Sequence, residues 1–240
     1  MAAVFETDYR LRWMDFDAQG RIQPSALLDI FQDAATLHAN EIGLGREEMT
    51  KRGVFWVITR IKYEVAKDPV HHQKVIARTW PHTPSKFSFM RDFAIRDAET
   101  NEILIRGTSE WMLLDMETRS IVSASDVYDG FDLLEERNFA KKPRKIKDFE
   151  AEQKAAIFTP VYTDIDLNGH VNNSRYPNFA LNALEPGEAG CIVTFQIDFR
   201  HEVMPHEPLT LYTLVEDGNA RVKGVRADGE TAFMCAIEAQ

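Results

Sequence analysis

Two cysteines among 240 residues exclude a disulfide framework, and both lie in apolar strand-like runs, Cys191 in GCIVTF and Cys235 in AFMCAI, where a small buried thiol is the usual occupant. Long hydrophobic runs are missing too. Nothing approaches the ~18 apolar residues of a membrane helix. The opening MAAVFETDYRLRW carries acids early and lacks the apolar core of a signal peptide, so a cytoplasmic location without membrane insertion is expected. Positive charge is in deficit: 28 Lys+Arg against 38 Asp+Glu leave a net charge of −10, which argues against nucleic acid as a partner because phosphate binding depends on a positive field. An acidic partner must therefore dock on a local basic patch. What is present is ordinary globular composition, 44% hydrophobic and 28% charged, in a chain that holds one large domain or two smaller ones.

The most informative feature is an internal repeat. LRWMDFDAQGRIQPSALLDIFQDAA, from Leu11, aligns without a gap on PVYTDIDLNGHVNNSRYPNFALNAL, from Pro160: Trp13 meets Tyr162, Asp15 meets Asp164, Asp17 meets Asp166, Gly20 meets Gly169 and Ile22 meets Val171. Downstream, VITRIKYEVAKDP from Val57 resembles VTFQIDFRHEVMP from Val193, with Ile61 over Ile197, Tyr63 over Phe199 and Pro69 over Pro205. One unit has been duplicated.

Both units read alike. After the D-x-D-x-x-G stretch, Leu27, Leu28, Phe31, Ala34 and Ala35 have the one-face spacing of an amphipathic helix, and Tyr176, Phe179, Ala180, Ala183 and Leu184 repeat it. Asn172 or Asn173 is available as a cap, and Pro177 is tolerable only in the first turn. Then the period changes to two. The spacing predicts strands over Val54 to Val65, Lys74 to Trp80, Phe87 to Arg96 and Ile103 to Leu114, then over Ile192 to Phe199, Thr210 to Glu216, Ala220 to Arg226 and Thr231 to Ile237. Turn-formers at AETNE, EDGN and ADGE imply antiparallel hairpins. One helix followed by about four antiparallel strands, twice, is an α+β pattern in which each sheet must cover its apolar face with the helix. The hotdog fold does this, a curled antiparallel sheet wrapping a central helix. We expect two tandem units, residues 1–116 and 155–240, joined by a charged linker over 117–154.

Chemistry concentrates in the second unit. Asp164-Ile165-Asp166-Leu167-Asn168-Gly169-His170-Val171-Asn172-Asn173 gathers acid, amide and imidazole groups just before a helix. In an extended stretch, the alternate side chains Asp166, Asn168 and His170 point the same way. Backbone amides near Gly169 and His170 are candidates for an oxyanion site. Thioester hydrolysis needs such a set: a carboxylate or imidazole to activate water or attack, donors for the oxyanion, and a proton for the departing thiolate. It needs no metal and no organic cofactor. Read without function, the same segment is a helix-capping loop with a satisfied semi-buried histidine. Where the second unit has Asp166, Asn168, His170 and Glu202, the alignment puts Asp17, Gln19, Arg21 and Ala66 in the first. Loss of the polar set from one copy fits a duplicated catalyst that kept one site, although packing differences between copies explain it as well.

The string DIDLNGHVNNSRY, from Asp164, followed by FRHE ending at Glu202, resembles the signature of acyl-acyl carrier protein thioesterases of plants and bacteria, as do WMLLDMETR from Trp111 and LRWMDFD from Leu11. The resemblance spans nearly the whole chain. It implies a tandem hotdog fold, hydrolysis of fatty acyl thioesters of acyl carrier protein, and a catalytic aspartate, asparagine, histidine and glutamate at Asp166, Asn168, His170 and Glu202. Plant members of that family commonly carry a cysteine just after the glutamate. This chain has Val203, so carboxylate, imidazole and water must serve. The family's architecture also makes Leu27, Phe31, Trp56 and Phe89 candidates for lining an acyl pocket, beside their reading as core. Lys141, Lys142, Arg144, Lys145 and Lys147 are either a solvated face or the dock for the acidic carrier protein.

His71 and His72 are adjacent, project to different sides and read as surface residues rather than a metal pair; His201 and His206 read as a solvated loop end. The alternatives are a hotdog acyl-CoA thioesterase, a hotdog dehydratase and a non-catalytic acyl-binding protein. A homodimer is compatible with each.

Overall fold

The computed structural model describes residues 3–124, 127, 133–151, 154–184 and 190–240. The chain divides into two compact units, residues 1–22 with 29–142 and residues 23–28 with 143–240, and the break at Lys142/Pro143 falls inside the segment read as a linker. Of that segment, 125–126, 128–132 and 152–153 lie outside the described residues.

Unit 1 begins with strand β1 (Phe5–Arg10) and a one-turn 3-10 helix at Trp13–Asp15. Helices α1 (Pro24–Glu41) and α2 (Arg46–Lys51) follow, then strands β2 (Val54–Val65), β3 (Lys74–Pro81), β4 (Phe89–Asp97), β5 (Ile103–Asp115) and β6 (Ile121–Val122). The sheet is antiparallel in the order β1-β3-β4-β5-β2, with β6 on β5. From residue 29 onward α1 covers one face of it. Phe31, Ala34, Ala35, His38 and Ile42 are buried at helical spacing. The Phe31 ring stacks on Phe93 of β4 at 4.5 Å between centroids and lies against Gly107 of β5, where an added Cβ would come within 2.5 Å of it. Glycine there lets the helix approach the sheet, and burial of the phenyl ring is worth about 1.5–3 kcal/mol. At the helix end, Ile42, Leu44, Met49, Val54, Leu113 and Val127 form a second cluster.

The opposite face of β4 carries Asp92, since successive side chains alternate. Its carboxylate accepts the backbone N–H of Asn138 at 2.6 Å, and the Asn138 amide donates to the carbonyls of Phe93 and Gly107. Residues 133–142 are thereby tied to the sheet.

Unit 2 repeats the plan. Strand β7 (Lys154–Phe158) leads to a 3-10 turn at Tyr162–Asp164, another at Asn173–Arg175, and helix α3 (Tyr176–Asn182). Strands β8 (Ile192–Phe199), β9 (Leu209–Glu216), β10 (Asn219–Val225) and β11 (Thr231–Ala239) complete an antiparallel sheet in the order β8-β11-β10-β9-β7. Tyr176 and Phe179 are buried, Tyr176 against Phe199 and Phe233, Phe179 against Phe158. The Asp198 carboxylate of β8 accepts the Ile146 N–H at 2.7 Å, and Ile146 and Phe149 pack on Met234.

Two curled-sheet-and-helix units are the hotdog architecture the repeat implied. The expected strands appear, with ends shifted by one or two residues. Strands β1, β6 and β7 were not anticipated. β6 lies in the segment read as linker and β7 is short and begins at its last residue, although β1 alternates half-buried Phe5, Thr7 and Tyr9 with exposed Glu6, Asp8 and Arg10. Helix α3 is shorter than the apolar spacing suggested, with Ala183 as its cap, because the sequence Glu185-Pro186-Gly187 beyond it disfavours helix. No helix among the described residues is long and apolar enough to cross a membrane.

Candidate active site

The segment before α3 is a closed turn, not the extended stretch that alternation required. An isolated bridge joins Ile165 to Val171, Asp166 N–H donates to His170 O at 2.9 Å, and Gly169 N–H donates to Asp166 O at 3.0 Å. Gly169 has φ +83° with nothing within 4 Å of its missing Cβ, so it is glycine for the left-handed backbone and not for space. The Asp166 carboxylate closes the turn from within: Oδ1 accepts Asn168 N–H at 2.7 Å and Oδ2 accepts the Asn168 side-chain amide at 3.2 Å. Asn172 Oδ1 then accepts Ser174 N–H at 3.0 Å and caps the helical segment.

Glu202 reaches the turn from the other side. After β8, the amides of Arg200 and His201 bond Ala232 O, Met204 N–H donates to Glu207 Oε2 at 3.0 Å, and His206 N–H donates to Pro160 O at 3.1 Å. Val171 N–H donates to Val203 O at 3.0 Å, which holds this loop alongside the turn. The outcome is a contact of 3.4 Å between His170 Nε2 and Glu202 Oε2, an ion pair when the imidazole is protonated. The predicted residues therefore meet as two pairs, Asp166 with Asn168 within the turn and His170 of the turn with Glu202 of the loop after β8. Asp166 and His170 are half-buried, whereas Asn168 and Glu202 are exposed.

Of the two amides considered for an oxyanion, that of Gly169 is engaged within the turn and corrects half of that expectation. The amide of His170 donates no hydrogen bond among the described residues.

Unit 1 builds the same turn. Phe16 bridges Ile22, Asp17 N–H donates to Arg21 O at 2.8 Å, Gly20 N–H donates to Asp17 O at 3.0 Å with φ +76°, and Asp17 Oδ1 accepts Gln19 N–H at 2.9 Å. Here Asp17 Oδ1 also accepts Arg21 N–H, and Oδ2 pairs with the Arg21 guanidinium at 3.3 Å. The downstream loop corrects the sequence alignment. Ala66 and Lys67 amides bond Leu104 O as Arg200 and His201 bond Ala232 O, Val70 N–H reaches Gln73 Oε1 as Met204 N–H reaches Glu207, and His72 N–H reaches Leu11 O as His206 reaches Pro160. The structural counterpart of Glu202 is accordingly Asp68, not Ala66. The sequence alignment is two residues out of register along β2 and the loop after it, since the bulge that both strands carry makes Thr59 the counterpart of Val193, and this hid an acid that both copies possess.

Of the proposed acyl-lining residues, Leu27 and Phe31 are packed in the core at 0% and 1% exposure. Trp56 and Phe89 meet edge to face at 4.8 Å, partly buried over the α2 cluster. The five linker cations are exposed. Lys142 bonds Ser88 Oγ and pairs with Glu110, whereas Lys141, Arg144, Lys145 and Lys147 make no ion pair among the described residues.

The fold and this turn define a tandem hotdog protein that presents carboxylate, amide and imidazole ahead of its second-unit helix. Comparison with known proteins narrows it: the acyl-ACP thioesterase N-terminal domain matches residues 2–131 and the acyl-ACP thioesterase C-terminal domain matches residues 147–231. The chain belongs to the acyl-ACP thioesterase family. It is 28% identical over 234 residues to a chloroplastic palmitoyl-acyl carrier protein thioesterase of Gossypium hirsutum, covering 90% of this chain and 56% of that protein. It is 27% identical over 232 residues to a chloroplastic dodecanoyl-[acyl-carrier-protein] hydrolase of Cinnamomum camphora, covering 90% and 61%. The chain thus spans little more than half the length of these curated relatives. Among solved structures, an acyl-ACP thioesterase from Bacteroides thetaiotaomicron superposes with a TM-score of 0.91 at 22% identity over 99% of both chains. The 12:0-ACP thioesterase from Umbellularia californica gives 0.84 at 26% identity over 99% of this chain and 97% of that one.

Proposed function

We propose that this protein hydrolyses the thioester of fatty acyl-acyl carrier protein, releasing a fatty acid and the carrier thiol, with its chemistry at the turn of unit 2. The observation that carries the reading is the 3.4 Å contact of His170 with Glu202 beside the unengaged His170 amide. Both oxygens of Asp166 hold Asn168, so the attacking group is assigned to water rather than to Asp166. His170 takes the proton from water as oxygen attacks the carbonyl carbon, and Glu202 stabilises the imidazolium. The tetrahedral oxyanion accepts the N–H of His170. On collapse the C–S bond breaks and the imidazolium returns its proton to the thiolate. Asp166 and Asn168 hold the turn that aims these groups. The carrier protein docks through the exposed cations Lys141, Arg144, Lys145 and Lys147, with Lys142 committed to Glu110. A cytoplasmic location remains part of this proposal.

The test is thiol release from a panel of acyl-carrier thioesters by wild type and His170→Ala. Release by wild type with a loss of about 10²–10⁴-fold in the variant is expected; no release from any carrier thioester overturns the reading. Coenzyme A thioesters of the same acyl chain form the second arm, and a preference for them would reassign the head group.

A further inference from the structure

We propose that Glu207 is a positioning residue for this chemistry, its carboxylate clamping the Met204 amide to the Arg226 guanidinium and thereby setting the loop that aims Glu202 at His170. The inference rests on the reading above and deepens it.

Glu202 sits where the chain leaves β8, in a loop held by hydrogen bonds on both sides of it. Before it, the Arg200 and His201 amides donate to Ala232 O; after it, Val203 O accepts the Val171 N–H at 3.0 Å. The next anchor is a side chain. Glu207 Oε2 accepts the Met204 N–H at 3.0 Å, and Glu207 Oε1 accepts Arg226 Nε at 2.6 Å. Arg226 follows β10 and opens the turn to β11, where its Nη2 also pairs with Asp228 at 3.0 Å. The Glu207 bridge thus ties the loop of the reactive pair to the neighbouring hairpin, and it is the anchor that a substitution can remove. Both side chains are half-buried, at 19% and 26% exposure, so the pair is screened less than a fully exposed one. A bond from an amide to a carboxylate is also stronger than one to a neutral acceptor. His206, between the two ends of the bridge, has φ +63°, a conformation that costs a non-glycine residue energy and persists only where its surroundings impose it. The bridge and the bond of His206 N–H to Pro160 O impose it.

The other copy supplies an independent observation. Its loop has the same frame built from different chemistry. Val70 N–H donates to Gln73 Oε1 at 2.9 Å, and Gln73 Nε2 donates to the Asp97 carboxylate. Asp97 stands in the β4–β5 turn where Arg226 stands in the β10–β11 turn: their N–H groups cross the turn to Glu102 O and Glu230 O, and their carbonyls accept the amides of Asn101 and Gly229. His72 keeps φ +64° there. The donor and the acceptor have changed places across the bridge, Glu207 with Arg226 in one copy and Gln73 with Asp97 in the other, yet the bond to the loop amide is kept. The two copies share the geometry and not the charge, so the bridge acts by holding backbone. In unit 2 that backbone carries Glu202 against His170.

The experiment compares wild type, Glu207→Ala, Glu202→Gln, the Glu207→Ala/Glu202→Gln double variant, and a graft of the first copy's solution, Glu207→Gln/Arg226→Asp. Each is read by steady-state kinetics on an acyl-carrier thioester, thermal unfolding, and amide hydrogen exchange at Met204. Glu207→Ala should lower kcat about 10- to 100-fold with KM within about twofold, as displacement of a reacting group by an ångström does. Met204 exchange should be faster. In the Glu207→Ala/Glu202→Gln protein the loss should not exceed that of Glu202→Gln alone, because both act through one group. The graft should return kcat to within about threefold of wild type, since it rebuilds the bond to the Met204 amide without a carboxylate at position 207. Unchanged kcat in Glu207→Ala overturns the inference. So does a double-variant loss equal to the product of the single losses, or a folded graft no faster than Glu207→Ala. Exchange at Met204 is read without substrate: if wild type released no thiol, the functional reading would fail, while unchanged exchange in Glu207→Ala would separately refute the bridge.

Discussion

Residues 11–22 and 160–171 are the same turn built twice, down to the hydrogen bonds, and they differ in what their side chains can do. In both, an aspartate closes the turn on an amide two residues ahead and a glycine at positive φ completes it. The retained Asp17 is thus a structural residue, and Asp166 inherits that duty whatever else it does. The divergence lies at the next position. Arg21 turns back onto Asp17 and takes its amide with it, whereas His170 leaves its amide open and faces Glu202. A guanidinium cannot accept a proton near neutrality; an imidazole can. Since Asp68 stands where Glu202 does, the first copy has kept an acid and lost the base.

The largest effect expected from breaking this comparison is in paired substitutions. His170→Ala should lower kcat by about 10²–10⁴-fold, and Arg21→Ala should leave it within about twofold, as for a surface substitution. Comparable losses from both would mean that the first copy takes part in the chemistry. A smaller effect comes from the aspartates. Asp17→Ala and Asp166→Ala should each cost about 1–2 kcal/mol of stability by removing charge-assisted bonds to turn amides, readable as a lower urea midpoint. Only Asp166→Ala should also reduce turnover; a stable Asp17→Ala protein would refute the structural account.

The smallest effect concerns how each copy pins the loop behind its turn. In unit 2, Glu207 is held by Arg226; in unit 1, Gln73 is held by Asp97. The Thr100 amide, with Gln73 and neighbouring donors, holds the Asp97 carboxyl at about 2, below its ordinary value of 3.8. A depressed carboxylate contributes stability that is present above its unfolded value and lost as pH falls through its folded value. Between pH 4 and pH 2, Asp97→Asn should therefore lose stability less steeply than wild type. Parallel slopes in acid titrations of the unfolding midpoint would contradict this.

Much of this was legible in the chain. The gapless first repeat aligned Asp17 with Asp166 and Gly20 with Gly169 correctly, because both copies obey the same backbone rule. The downstream alignment failed by two residues, because strand periodicity is insensitive to a slip of two, which leaves every side chain on the same face. That slip replaced Asp68 with Ala66. Alternation also misjudged residues 166–170, where φ at Gly169 bends the chain.

Periodicity, duplication and the polar cluster by themselves determined the hotdog architecture and singled out the candidate groups, because these depend on which faces must be buried and on residues carried within a short stretch of chain. Only the tertiary structure decided which groups touch, which amide is open and which acid is the counterpart of Glu202. Those depend on backbone hydrogen bonds between segments some 30 residues apart, such as Val171 with Val203, which no local pattern encodes.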